Sequence, residues 1–220
     1  METIRHPIRG GLFITFEGPE GSGKTTQIRL LGEYLTACGY PVLLTREPGG
    51  TPLAEQLRSV LKTHHDAEKL QPGTELLLME AARHQHVKNV IAPALAEGKI
   101  VLCDRFFDST TAYQGGARGI DRATIEKLND FAVDGCRPQL TFLLDLSPEA
   151  GFRRTGKRPE TQGEYDRFEE EDLAFHRRVR KSFLAIARRD AKRIRLIDAD
   201  RDVNEIQLEI RRIVHEYLVS

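Results

Sequence analysis

The chain has 220 residues, 40% of them hydrophobic, and its 33 Lys and Arg balance 33 Asp and Glu. That length and composition suit one domain with a full core, residues 1–220. Zero net charge gives no global pull toward nucleic acid or an acidic membrane surface.

No run approaches the roughly 18 apolar residues of a membrane helix, and residues 1–11 lack the apolar core of a signal peptide. Three cysteines, Cys38, Cys103 and Cys136, have no metal-ligand spacing and are too few for a disulfide framework. The expectation is a cytoplasmic protein with each cysteine a small core residue, no membrane role and no nucleic-acid partner.

Along the chain, the apolar run L-F-I-T-F-E reads as a strand and leads into G-P-E-G-S-G-K-T-T. Gly18, Gly23, Lys24 and Thr25 satisfy G-x-x-x-x-G-K-[ST], with a helix-like pattern opening at Lys24. Successive turn amides form a nest for phosphate oxygens, and the helix start adds the positive end of its dipole. Gly18, Gly21 and Gly23 permit close backbone approach. Pro19, Glu20, Ser22 and Thr26 complete the expected ATP-binding loop, in which Lys24 reaches the β- and γ-phosphates and the Thr25 hydroxyl suits Mg²⁺.

Residues 27–38 are amphipathic and stop at Gly39; 41–45 read as a short buried strand that closes a strand–helix–strand unit. R-E-P-G-G-T (46–51) is a turn at that strand's C-terminal end, the edge where parallel sheets collect ligands. Residues 52–61 read as helix, 64–71 as a polar connection, and 72–96 as a long helix that Pro93 bends. Residues 99–103 form a buried strand running into Asp104 and Arg105; 109–119 read as a glycine-rich loop. Asp121 caps a helix to about 134, and 140–146 form a strand. Residues 153–167, with Arg153, Arg154, Lys157, Arg158 and Arg167, read as a mobile lid, or simply as exposed surface. A charged helix over 169–189 buries Phe175, Val179, Phe183 and Ile186, and a strand (194–197) and helix (204–218) close the chain. Alternating strands and helices predict an α/β fold of the P-loop NTPase kind, a five-stranded parallel sheet with helices on both faces and a small arginine-rich lid.

A P-loop alone does not settle function. A guanine-specific switch would carry N-K-x-D and D-x-x-G, and neither string occurs. A small-molecule phosphotransferase needs a second anion site opposite the loop and movable cations for the transition state. Arg105 offers the first through its planar fork, with Asp104 beside the metal or orienting Arg105; alternatively the two form a structural ion pair. Arg83, taken by itself, reads as a solvated helix face. The histidines add little, since His84 and His86 do not share a helix face.

G-P-E-G-S-G-K-T-T, T-R-E-P-G-G-T, A-A-R-x-Q-H-V, D-R-F-x-D-S-T-x-A-Y-Q-G and the late D-R-F-E together resemble the bacterial thymidylate kinase family from about Gly11 to Leu218. The resemblance implies a transferase: ATP- and Mg²⁺-dependent phosphorylation of dTMP to dTDP in nucleotide biosynthesis toward dTTP, by a homodimer. It implies that Glu20 meets the deoxyribose 3′-hydroxyl, Arg105 the dTMP phosphate and Arg83 the thymine carbonyl. Tyr113 would pack under the sugar, with Thr110 and Gln114 at base and sugar, while Arg46, Glu47 and Pro48 line the acceptor-phosphate and metal region, beside Thr25 and Asp104. Gly21 stands where some members carry a basic residue, so a lid arginine is expected to replace it, Arg158 before Arg154. Met79 stands where many members stack a phenylalanine on thymine; a thioether can press on the ring, or Met79 is core. The alternatives are another P-loop nucleotide or nucleoside kinase, separated by Glu20 and Tyr113, and a nucleotide-regulated binding switch.

Overall fold

The structure, a computed structural model, describes residues 8–63, 68–155, 167–168 and 171–219. Five parallel strands form one sheet in the order β2-β3-β1-β4-β5: β1 (Leu12–Glu17), β2 (Val42–Arg46), β3 (Ile100–Asp104), β4 (Leu140–Asp145) and β5 (Ile194–Asp198). The expected α/β architecture is therefore present. Strand β1 lies between β3 and β4, with Phe16 opposite Asp104 and opposite Phe142. The order reverses around β1, so the crevice at its carboxyl end is where this topology places a ligand.

Alternation along β1 divides the core. Leu12, Ile14 and Phe16 face a cluster with Leu31 of α1 (Lys24–Ala37) and Ile210 and Val214 of α9 (Val203–Val219). Phe13 faces the other layer, with Val87, Ile91, Val101 and Phe106. A third cluster joins Tyr113 and Leu143 to Phe175, Val179, Phe183 and Ile186 of α8 (Leu173–Arg189), as the spacing of that helix predicts.

Several expectations need correction. Strand β2 is a half-buried edge strand with Leu44 47% exposed, because only β3 flanks it. The 72–96 helix is continuous but not uniform: α3 (Pro72–His86) passes through a π-helical turn (Val87–Ile91) into α4 (Ala92–Ala96). Pro93 cannot donate to Asn89 and its ring would crowd that carbonyl, and the widened turn absorbs the conflict.

Residues 109–119 are not a loop. Residues 109–117 lie in α5 (Phe107–Thr110) and a π-helical turn (Thr111–Ala117), and only Arg118 and Gly119 fall outside a helix. Gly116 is needed for packing rather than for a turn: a Cβ there would stand 2.4 Å from Ser182 Cβ on α8. Of the cysteines, only Cys103 is buried; Cys38 and Cys136 are half-buried.

Short helices complete the layers: α2 (Pro52–Lys62), α6 (Arg122–Val133) and α7 (Pro148–Thr155). Thr51 caps α2 by accepting from Ala54 N at 3.1 Å, and Asp121 caps α6 from Thr124 N at 3.0 Å, as its sequence position predicts. Arg153 and Arg154 end α7, and Arg167 sits in a short turn. The rest of the expected lid, with Lys157 and Arg158, lies outside the described residues. Among the described residues no helix is long and apolar enough to cross a membrane.

Candidate active site

The glycine loop leaves β1 at the sheet's carboxyl edge. Gly18 has φ 140°, and a Cβ there would stand 2.4 Å from Leu144 O; Gly23, with φ 86°, begins α1 without a side-chain cap. The first amides of α1 thus have no side-chain partner at the cap, as an anion site requires. Lys24 folds over this loop, its Nζ 3.1 Å from Gly18 O and 2.9 Å from Pro19 O. Burial, then the positive charge of Arg105, lower its pKa to about 8. The same packing explains Gly21. A Cβ on it would lie 2.6 Å from Gly151 O, and one on Gly151 would lie 2.4 Å from Glu20 O. Loop and α7 touch backbone to backbone, so a basic side chain at Gly21 has no room.

Thr25 Oγ1 donates to Asp104 Oδ2 at 2.7 Å. A hydroxyl and a carboxylate are hard oxygen donors of the sort Mg²⁺ takes alongside water and phosphate, so these residues fit the metal. Asp104 and Arg105 are not an ion pair with each other, because Asp104 turns to Thr25 and Arg105 turns to Glu20.

Arg105 adopts φ 70°, a left-handed conformation uncommon for a residue with a side chain. Its guanidinium lies 2.6 Å from Glu20 Oε1 and 3.2 Å from both Gly18 O and Ser109 Oγ, over the Tyr113 ring at 5.3 Å. The fork therefore faces the glycine loop. Burial opposes its charge, but Tyr113, Glu20, Asp104 and Glu17 outweigh that and hold its pKa above the ordinary value.

Glu17, which the sequence reading passed over, sets this turn. Its buried carboxylate accepts from Phe106 N at 2.8 Å, Ser109 N at 3.2 Å and Ser109 Oγ at 2.5 Å. Burial and then the charge of Asp108 raise its pKa to about 8. The available signal was a carboxylate ending an otherwise apolar strand.

Arg83 overturns the solvated-face reading: it is 3% exposed and held on three sides. Nε donates to Glu47 Oε2 at 2.8 Å, Nη1 to Glu80 Oε1 at 2.9 Å and Asn129 Oδ1 at 3.3 Å, and Nη2 to Thr110 Oγ1 at 3.0 Å. Its partners come from α3, α5, α6 and the turn after β2, which no single stretch of sequence displays.

A cleft of about 1130 Å³ joins these groups, running from Gly21 and Lys24 past Arg105 to Arg83, Met79 and Phe168. Half-buried Met79 lines this cleft and belongs to none of the core clusters. Tyr113 forms part of the wall, edge-on to Phe168, Phe175 and Phe183. Gln114 also lines it, though its amide nitrogen donates to buried Glu75 Oε1 at 2.8 Å. Pro48 accepts from Arg58 through its carbonyl at 2.8 Å. Arg154 reaches the cleft too, but its guanidinium is 2.8 Å from Ala199 O and 3.1 Å from Asp200 Oδ1. Among the described residues no group of His, Cys, Asp and Glu could hold a metal by itself.

A basic fork aimed at an anion cradle across one open cleft suits two phosphorylated ligands, and with this sheet it marks a P-loop phosphotransferase. The profile of the Thymidylate kinase family matches residues 16–210. Thymidylate kinase of Syntrophotalea carbinolica is 50% identical over 196 residues, 88% of this chain and 90% of that one. That of Geotalea uraniireducens is 50% identical over 206 residues, 93% and 96% of the two chains. The crystal structure of thymidylate kinase from Ehrlichia chaffeensis superposes with a TM-score of 0.75 at 40% identity, covering 94% of this chain and 99% of that one. The chain belongs to the thymidylate kinase family.

Proposed function

We propose that the chain transfers the γ-phosphoryl group of ATP to dTMP, with Mg²⁺ as cofactor, in the cytoplasm. The observation that carries this reading is Arg105: its fork faces the P-loop across the cleft, 2.6 Å from Glu20 and 3.2 Å from Gly18 O. The loop amides and Lys24 take the donor phosphates, and Arg105 takes the acceptor phosphate in its bidentate fork. Glu20, at the boundary, accepts from the sugar 3′-hydroxyl and would repel a further phosphate. Arg83 donates to the thymine carbonyl, Met79 presses on the base, and Tyr113 supports the sugar, with Thr110, Gln114, Glu47 and Pro48 around them. Thr25 and Asp104 would hold the Mg²⁺, which screens phosphate charge when bound. Most of the catalysis is then alignment of the two phosphates and charge screening. Arg154 is already tied to Ala199 and Asp200, which favours Arg158 as the cation that closes on the transferring group.

A homodimer belongs to the same reading. Phe131 of α6 is 72% exposed and stacks on His84 of α3, and Leu77, two turns before His84, is 59% exposed. Phe131→Arg should shift the sedimentation coefficient to that of a monomer, and an unchanged value would exclude this face.

The activity is tested by ADP release with dTMP, AMP, CMP and UMP as acceptors. The highest kcat/KM should belong to dTMP; a clear preference for another of these overturns the substrate.

A further inference from the structure

His86 lies in the A-A-R-x-Q-H-V motif three residues beyond Arg83, on the same face of α3, yet phosphoryl transfer gives it no task. Its ring is fully buried. Nε2 is 2.7 Å from Thr45 Oγ1, and Nδ1 is 3.1 Å from Glu47 Oε1. A carboxylate only accepts, so Nδ1 donates; a ring with that one proton accepts the Thr45 hydroxyl at Nε2. Glu47 then uses its other oxygen on Arg83 Nε at 2.8 Å. The donors run in sequence from Thr45 to His86 to Glu47, where they meet those of Arg83.

The space for the ring is made by the other motif. Gly50 has φ 85°, and a Cβ there would stand 2.4 Å from both Cδ2 and Nε2 of His86. The second glycine of R-E-P-G-G-T is thus a seat for His86, and the two motifs interlock around Glu47. Each Glu47 oxygen has its partner: His86 on one, Arg83 on the other. Without the imidazole donor, a buried carboxylate oxygen loses its bond, and the carboxylate must turn or draw in water. Either response loosens Nε of Arg83, while Glu80, Asn129 and Thr110 still hold the two terminal nitrogens. The fork tilts rather than leaves.

We infer that His86, acting through Glu47, is a positioning residue that fixes the Arg83 fork for the carbonyl of the acceptor pyrimidine and so sets base selectivity. This rests on the proposed dTMP reading. Cytosine presents an amino donor where thymine presents that carbonyl, so a well-held fork rejects it by opposing donor to donor.

The test compares wild type, His86→Leu, His86→Asn and Thr45→Val, with dTMP and dCMP as acceptors, KM for ATP and Tm measured alongside. His86→Leu should raise KM for dTMP by about tenfold and lower the dTMP:dCMP preference by a similar factor. KM for ATP should stay within about twofold. His86→Asn, which keeps an amide donor near the Nδ1 position, should recover most of the loss, and Thr45→Val should raise KM for dTMP by about threefold.

A folded His86→Leu with wild-type KM for dTMP and wild-type selectivity overturns the inference. So does an equal loss for dTMP and ATP, which would mean packing alone. If His86→Leu does not fold, Thr45→Val decides: an unchanged KM for dTMP together with unchanged selectivity in that variant refutes the inference. A wild type inactive on dTMP refutes the reading beneath it instead, and the inference with it.

Discussion

The two ends of the cleft are built in different ways. The proposed donor cradle is a single run, residues 18–26, built of backbone amides, glycines at positive φ and one lysine. The proposed acceptor floor is a web of side chains in which Arg83 is held by Glu47, Glu80, Thr110 and Asn129, drawn from four separate parts of the chain. Backbone donors keep their geometry whatever the neighbours are, whereas a buried guanidinium is only as well placed as the carboxylates around it. Damage to the cradle should therefore cost turnover, and damage to the floor should cost recognition of one ligand.

That contrast can be broken most sharply at Lys24. Lys24→Ala should lower kcat by about 10³, because it removes a cation from the developing transition-state charge. Binding of dTMP should hardly change in calorimetry. Comparable losses in both would mean that cradle and floor are one coupled unit.

Gly21→Arg asks whether the cradle owes its shape to α7. The Gly151 carbonyl in the way and φ 70° at Gly21 should together cost roughly 2–3 kcal/mol in denaturant unfolding. An unaffected midpoint would show that the contact yields freely.

Smaller effects should follow pH. The folded-state pKa of Glu17, about 8 against 4.5 ordinarily, means the folded chain holds a proton that the unfolded chain releases. The stability from that proton is full below about 4.5 and is lost as pH rises through about 8. Lys24, lowered to about 8, acts in a higher window: its burial cost persists below about 8 and eases between there and 10.5. Tm should therefore fall by several degrees from pH 5 to 8 in wild type, and far less in Glu17→Gln. A parallel decline in the variant would assign the slope to other groups. Glu17 also holds the turn that carries Arg105, so this variant links stability to the junction between the two ends of the cleft.

The same contrast governs what was legible in the sequence. The P-loop, the Asp104–Arg105 strand end, the capped helix at Asp121 and the buried face of α8 follow from local pattern. The π-helical turn over 111–117 was hidden because its glycines look like loop punctuation, and the need for Gly116 became visible only against Ser182. Arg83 was misjudged, and the partners of His86 stayed hidden, for a related reason: helical spacing assigns a face to a residue but does not reveal that Thr45, Glu47 and Asn129 lie opposite it. Strand β2 read as buried because its apolar run gives no sign that it ends the sheet.

The most direct measurement is calorimetric titration of dTMP and of an ATP analogue into wild type and Arg105→Ala. Affinity for dTMP should fall by about 10² in the variant, the loss of a charge-assisted bidentate contact, while the ATP analogue binds within about twofold of wild type. Equal weakening of both would place Arg105 in the cradle and contradict the division into donor and acceptor ends.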